Sequence, residues 1–308
     1  MDKDSFNAFF NGSVGFGAVG IENLSNPLRI GEGQREVPVA GYHVLATSPS
    51  FDDQSNIGYK MREYEQNTAL LSALLWKQYN GPIRMITDPI GYQFLHDTSL
   101  FEVYEEVLPI LEVRNSGISH KKYWASGKLQ ALRQIVAPCA IIDMDLLVWE
   151  PLQLTQHQVV AAHTEPIDKR IYPSLSYFHL GMDYAFPLGW KEDVEPINTS
   201  ILYFSEEEFK RYYTTQSILF MQSEKETPDD GTICMVFAEQ RILAMCAAEK
   251  RVSVHTLLDF EHLSEHQNIM THIWSAKELL HCDRKIEEHY NFLCKEKIEK
   301  LTILGKGK

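Results

Sequence analysis

The sequence predicts an α/β fold with a mostly parallel mixed sheet flanked by helices. Three observations predict it. Short apolar runs of strand length alternate with longer amphipathic stretches from about residue 37 onward. The chain has 308 residues, 44% of them hydrophobic, which suffices for one large domain with a sizeable core. There is no internal repeat and no clear linker to divide it.

The elements follow in order. Residues 1–36 are glycine-rich without a sustained period and predict an irregular N-terminal segment. VPVAGYHVLAT (37–47) predicts a strand running to a turn at Ser48-Pro49-Ser50. Residues 61–79 predict a helix stopped by Asn80-Gly81-Pro82. IRMIT (83–87) predicts a short buried strand ending at Asp88-Pro89, with a helical stretch over 90–97. Residues 121–136 predict a helix that ends before Pro138, followed by a strand that carries Asp143. QVVAAHT (158–164) and PINTSILYF (196–204) predict two more strands. A helix opens at SEEEFKR with Ser205 as its cap and acids in its first turn. A second helix lies within TPDDGTICMVFAEQRILAMCAAE, and the tail from Asp283 predicts an amphipathic helix with a lysine-rich end. Residues 1–280 are therefore expected to form the main domain and 281–308 a helical extension. The aromatic segment 171–190, with Tyr172, Tyr177, Tyr184, Phe186 and Trp190, is expected either to line one side of a binding cleft or to pack under a long loop.

Charge and cysteine usage narrow the partners. Lys plus Arg number 29 against 42 Asp plus Glu, a net charge of −13. Nucleic acid is excluded as the main partner, because phosphate backbones need a basic surface. A small anionic substrate needs only a local cluster of donors. The five cysteines form no CxxC, and Cys139 and Cys246 sit in apolar segments, as buried thiols of a reducing compartment do. His281, Cys282, His289 and Cys294 have no zinc-site spacing and fit an ordinary helix. The N-terminal residues lack signal-peptide character, and no run approaches the ~18 apolar residues of a membrane span. The expectation is a soluble, cytoplasmic protein without a transmembrane segment, free to touch a membrane peripherally.

The stretch APCAIIDMDLLVW (137–149) carries the chemistry. Two carboxylates, Asp143 and Asp145, follow an apolar strand, and ligands of parallel sheets bind at the carboxyl ends of strands. If the strand ends there in a turn, both acids reach one divalent cation. Mn²⁺ or Mg²⁺ takes such oxygen ligands and leaves positions for diphosphate oxygens. The bland alternative is a solvated loop or a capping pair.

KYWASGKLQALRQIVAPCAIIDMDLLVWEPL (122–152) resembles the segment leading into the Asp-x-Asp motif of GT-A glycosyltransferases. It is most similar to the family 8 type, glycogenin and the bacterial lipopolysaccharide galactosyltransferases, and to bacterial relatives of that type. Three later stretches extend the likeness over roughly residues 37–280. Asn198-Thr199-Ser200 stands where the family has Asn-Ala-Gly. Glu239-Gln240-Arg241-Ile242-Leu243 stands for Asp-Gln-Asp-x-Leu, with Arg241 replacing the second acid. His272-Ile273-Trp274-Ser275-Ala276-Lys277 stands for His-x-x-Gly-x-x-Lys, one residue shorter and with Ser275 for the glycine.

The resemblance implies a GT-A fold and transfer of a sugar from a nucleotide-diphosphate sugar, a UDP-sugar, to a carbohydrate or glycolipid acceptor with retention. It also implies roles. Asp143, Asp145 and His272 hold Mn²⁺ or Mg²⁺. Lys128, Asn198, Thr199 and Lys277 bind the donor, Lys277 at its diphosphate. Glu239 and Gln240 stand at the reacting sugar. Each residue also has a plain structural reading: a surface lysine, a turn cap, a solvated helix acid, a core histidine.

Three other functions compete. GFGAVG (15–20) matches the dinucleotide fingerprint, but no buried strand precedes it and Pro27 follows too soon for the required helix. A haloacid-dehalogenase-type phosphatase wants Thr or Val four residues after the first aspartate, where Leu147 stands. A non-catalytic nucleotide-sugar binder of GT-A type is suggested by Arg241 and Ser275.

Overall fold

The computed structural model describes residues 20–28, 37–48, 59–112, 116–225 and 231–306. The glycine motif at 15–20 lies outside them except for Gly20, as does the predicted turn beyond Ser48. The strands are β1 (Gly41–Leu45), β2 (Ile83–Thr87), β3 (Val107–Leu108), β4 (Cys139–Ile142), β5 (Leu146–Val148), β6 (Val159–Ala161), β7 (Ile201–Phe204), β8 (Val254–Thr256) and β9 (Met270–His272). Seven of them form one sheet in the order β3-β2-β1-β4-β7-β6-β8, and β5 pairs with β9 in a separate two-stranded ribbon. In the large sheet only β7 runs against its neighbours. The mostly parallel mixed sheet is the architecture the strand–helix alternation predicts.

The period of two explains the layers. Cys139 and Ile141 of β4 join the core under one face, while Ala140 and Ile142 join the core under the other. β7 divides likewise, with Leu202 and Phe204 on the first face and Ile201 and Tyr203 on the second. Helices α1 (Glu63–Tyr79) and α2 (Pro89–His96) follow β1 and β2. Asp88 caps α2, accepting from the backbone amides of Ile90 and Gly91 at 3.1 and 2.9 Å. Asn80 ends α1, and Gly81 then takes φ 144°, a conformation only glycine adopts freely.

Helix α3 (Ser126–Gln134) approaches the end of β1 closely: a Cβ on Gly127 would lie 2.6 Å from the Ala46 Cβ. That approach brings the next residue, Lys128, to the carboxyl end of β4, beside Asp143.

Helix α4 (Glu207–Ser223) begins later than the sequence suggests. Glu206, not Ser205, holds the cap position and makes no side-chain cap. The Ser205 amide still donates to Gln158 O at 2.9 Å, so its backbone belongs to the sheet. Glu207 and Glu208 supply the acidic first turn.

The next helix is interrupted. α5 (Gly231–Val236) passes through a π-helical turn, Phe237–Arg241, into α6 (Ile242–Lys250). Among the described residues this stretch, Gly231–Lys250, is the one long and apolar enough to cross a membrane. It is mostly buried in the core, where Phe237, Ile242 and Leu243 are fully covered. The C-terminal helices α7 (Lys277–Cys282) and α8 (Arg284–Lys306) pack on α1. Tyr290, Leu293 and Leu301 meet Tyr64, Leu71 and Leu75 there, and the hydroxyls of Tyr290 and Thr68 lie 2.6 Å apart. Cys139 and Cys246 are buried thiols, and Cys282 is exposed.

Candidate active site

β4 ends at Ile142 and the chain turns at once, with the Leu146 amide donating to Asp143 O at 3.0 Å. The turn carries Asp143 and Asp145 at the carboxyl end of β4. β5 then pairs with β9 in the register Leu146↔His272, and the Ile273 amide donates to Asp145 O at 2.9 Å. Backbone pairing alone thus brings His272 from far along the chain to the two acids. The ligand atoms of Asp143, Asp145 and His272 lie within 4.8 Å of one another, the one such group among the described residues. His272 Nε2 is 3.3 Å from Asp145 Oδ1 and 3.9 Å from Asp143 Oδ2. Two carboxylates and an imidazole form a donor set that suits Mn²⁺, and oxygen donors also suit Mg²⁺.

The turn is braced from behind. Ser72 Oγ on α1 donates to Leu146 O at 2.5 Å, and the His43 ring lies between Ser72 and Tyr104, 3.2 Å and 3.0 Å away. Burial holds the His43 imidazole down to about 3, with Asp145 opposing, so this brace is uncharged at neutral pH.

Two lysines complete the centre. Lys128 Nζ lies 2.7 Å from Asp143 Oδ1, 2.7 Å from Glu239 Oε1 and 2.5 Å from Thr199 O. Lys277 Nζ lies 2.7 Å from Asp145 Oδ2. Burial works against the Lys128 ammonium, but Asp143 and Glu239 outweigh it and raise its pKa. Lys277 is raised likewise, Asp145 outweighing burial.

The two aspartates part company. Burial, joined by Glu239 and Asp145, pushes the Asp143 carboxyl up against the pull of Lys128 and His272. Burial also opposes ionisation of Asp145, but Lys277 and His272 prevail and hold it well below the usual carboxylate range. In an acid titration followed by carboxyl ¹³C shifts, Asp143 therefore takes up its proton before Asp145. The fold favours ionised Asp145, so the stability this lends is present above the ordinary aspartate pKa. It is lost as pH falls through the lowered folded value. Asp143 has the opposite sign, and protonating it relieves the folded state. Proton uptake by Asp145 first would refute this electrostatic account.

Asp143, Asp145, His272, Lys128, Lys277, Asn198, Thr199, Glu239 and Gln240 all line one cavity of about 640 Å³, the size range of small-molecule sites. Glu239 and Gln240 sit on the π-helical turn, a distortion frequent at functional sites. Glu239 is buried rather than a solvated helix acid, and Lys128 is buried rather than a surface lysine. Arg241 is 1% exposed, bonds to Glu192 O and does not line the cavity.

The sequence reading missed Glu165, which lines the same cavity. Asn198 Nδ2 donates to its Oε1 at 2.9 Å, and the Tyr172 hydroxyl donates to its Oε2 at 2.6 Å. Tyr172 also lies 2.5 Å from the Gln240 side chain, which joins all four residues into one wall. β6 runs parallel to β4, so the residues after both strands share one edge of the sheet. Of the five rings expected at the cleft, only Tyr172 lines it. Tyr177, Tyr184, Phe186 and Trp190 pack instead on the core, where Phe186 lies 5.9 Å from Phe220 and 5.8 Å from Phe237. Phe186 thereby packs on α4 and on the π-helical turn beside Phe178, which lies 5.2 Å from Phe220 and 4.1 Å from Phe237.

A family model described as a family of unknown function, DUF6734, matches residues 45–302. The chain belongs to this family. No curated protein matches the sequence. Solved structures similar to this chain include mouse xyloside xylosyltransferase 1, at 10% identity over 77% of this chain and 98% of that one, with a TM-score of 0.39. The galactosyltransferase LgtC, crystallised with donor and acceptor sugar analogues, is 11% identical over 84% of this DUF6734 chain and 96% of its own, with a TM-score of 0.44. The glycosyltransferase GlyE of Streptococcus pneumoniae TIGR4 is 11% identical over 86% of this chain and 64% of that one, with a TM-score of 0.43.

Proposed function

We propose that the protein is a metal-dependent glycosyltransferase of GT-A type. It moves a sugar from a nucleotide-diphosphate sugar, a UDP-sugar, to a carbohydrate or lipid-linked acceptor with retention. The observation that carries this reading is the convergence of Asp143, Asp145 and His272 with Lys128 and Lys277 in one cavity at the sheet's carboxyl edge. Breaking a sugar–phosphate bond leaves a diphosphate anion and an electron-poor sugar carbon. A divalent cation held by Asp143, Asp145 and His272 supplies Lewis-acid neutralisation of the leaving diphosphate.

The chain's own groups do the rest. Lys277, 38% exposed at its side chain, has reach to bind the diphosphate as a point charge. Asn198, Gln240 and Glu165 present polar atoms to sugar hydroxyls from one hydrogen-bonded wall. Glu239 is an acid fixed close to the reacting carbon, and the leaving phosphate itself takes the acceptor's proton. The main domain spans 1–280 in this reading, with 281–308 as an extension on α1. Arg241, turned away from the cavity, puts no unwanted charge beside the donor, which weakens the motive for a non-catalytic binder.

The test is a panel of nucleotide sugars assayed for transfer and hydrolysis with Mn²⁺. Turnover of at least one UDP-sugar, lost on chelation, is the expected result. Inert donors that still bind with metal would make the protein a binder rather than a transferase.

A further inference from the structure

Trp124 lines the cavity and is nevertheless 47% exposed, whereas Trp76, Trp149 and Trp190 are buried. A large ring left in water on a cavity wall calls for an occupant. The turn before α3 sets it there. The Tyr123 amide donates to Ser119 O at 2.8 Å and the Ser126 amide to Tyr123 O at 2.9 Å. The Tyr123 ring is buried by this turn, and the next side chain is left facing out. The Ala125 amide lies 3.3 Å from Met235 Sδ, which seats the turn against α5, the helix that runs into Glu239. Thr232 and Val236 of α5 line the same cavity.

The charges around the ring decide what the occupant is. Among the described residues the cavity is lined by five carboxylates, of Glu65, Asp143, Asp145, Glu165 and Glu239, and by two ammonium groups, of Lys128 and Lys277. Both lysines are engaged. Lys128 holds Asp143 Oδ1 and Glu239, and Lys277 holds Asp145 Oδ2. The inward oxygens of the two aspartates, Oδ2 and Oδ1, face His272. Glu165 takes its hydrogen bonds from the neutral Asn198 and Tyr172. A divalent cation and a nucleotide diphosphate add charges that roughly cancel, so the excess of negative charge remains. A second anion entering beside them meets like charge, and no lysine or arginine in this lining is left to receive it. A pyranose without acidic substituents meets no such repulsion. Its ring hydrogens make one face apolar and its hydroxyls make the rim polar. An indole face bordered by carboxylate and amide acceptors complements both.

We propose that Trp124 is the acceptor platform of this cavity and that the acceptor is a neutral saccharide whose reacting ring stacks on the indole. The inference rests on the glycosyltransferase reading and narrows it, because lipid phosphates and acidic sugars are rejected by like charge. Seating against α5 puts the stacked ring on the Glu239 side of the cavity. There an acceptor hydroxyl oxygen bonds to the donor's anomeric carbon as the bond from that carbon to the diphosphate breaks, and the hydroxyl proton leaves on the diphosphate.

Saturation-transfer NMR and calorimetry on the full chain with Mn²⁺ and UDP test it. The neutral probes are lactose, cellobiose, maltose and mannobiose, and the anionic probes are glucose 6-phosphate, glucuronate and farnesyl phosphate. At least one neutral disaccharide is expected to bind and to receive saturation on its ring C–H protons, and no anionic probe is. Trp124→Ala should weaken that binding by roughly tenfold, and Trp124→Phe, which keeps an aromatic face, by much less. In transfer assays with a competent donor, the acceptor KM should rise in Trp124→Ala by a similar factor while the donor KM moves far less. An anionic probe bound as tightly as the best neutral one, no probe bound at all, or a neutral saccharide held equally well by Trp124→Ala overturns the proposal. In each of these cases UDP bound together with Mn²⁺ leaves the nucleotide-sugar reading standing. A wild type that binds neither UDP nor Mn²⁺ sinks that reading, and the proposal with it.

Discussion

Asp145→Ala is expected to abolish metal-dependent sugar transfer while leaving the protein folded. Asp145 supplies one of the inward oxygens, is held ionised by Lys277 and His272, and lies in a turn fixed by backbone hydrogen bonds. A Lewis acid at a leaving diphosphate contributes several kcal/mol to the transition state, so turnover should fall by roughly a thousandfold or more. The fold should survive, because the turn is held by backbone contacts and the freed Lys277 is 38% exposed to solvent. Initial rates with a competent UDP-sugar, set beside Mn²⁺ binding in the presence of UDP, check both halves. Retained turnover would remove Asp145 from the site. An aryl phosphatase activity that disappears in Asp143→Asn would favour the phosphatase instead, with Asp143 as nucleophile.

Local pattern carried the fold a long way and the site unevenly. Strand β4 and the position of its two acids were legible because an apolar run of strand length leads straight into Asp-x-Asp. His272 was not legible from pattern, since a lone histidine near an apolar stretch is ordinary. Its place follows from the β5–β9 register, a pairing between segments far apart in sequence that no local period encodes. Glu165 went unseen for the opposite reason. Its strand was legible, but the direction of β6 relative to β4 depends on the intervening β7, and direction decides which end of a strand faces the ligand. The aromatic segment misled because rings serve a core as well as a sugar, and composition does not say which side of a loop is covered. Ser205 failed as a cap because tertiary pairing kept its amide in the sheet, overriding a local preference.

Lys128→Met is expected to cause the largest loss of stability among single changes at the site. Lys128 is 9% exposed at its side chain and holds Asp143, the 9% exposed Glu239 and the Thr199 carbonyl together. Methionine fills similar space without the charge, leaving two carboxylates to face each other and a buried carbonyl without its donor. Breaking a buried ion pair by removing one partner destabilises by about 3–5 kcal/mol. Asp143, 30% exposed, keeps some access to water, which puts the expectation near the lower end, at about 3 kcal/mol. Urea denaturation measures it, provided the slope is unchanged. Removing the second charge should restore part of the loss, so Lys128→Met combined with Glu239→Gln is more stable than Lys128→Met alone. The coupling between these neighbours should be about 1–3 kcal/mol. Acidification should also shrink the penalty, because the raised Asp143 carboxyl takes a proton early and one of the two stranded charges disappears. A lysine whose only task was to touch a donor would show none of this: its loss would weaken ligand binding and leave the midpoint within about 0.5 kcal/mol of the wild type. That result would move Lys128 out of the charge network, and with it half of the arrangement that turns the inward oxygen of Asp143 toward His272.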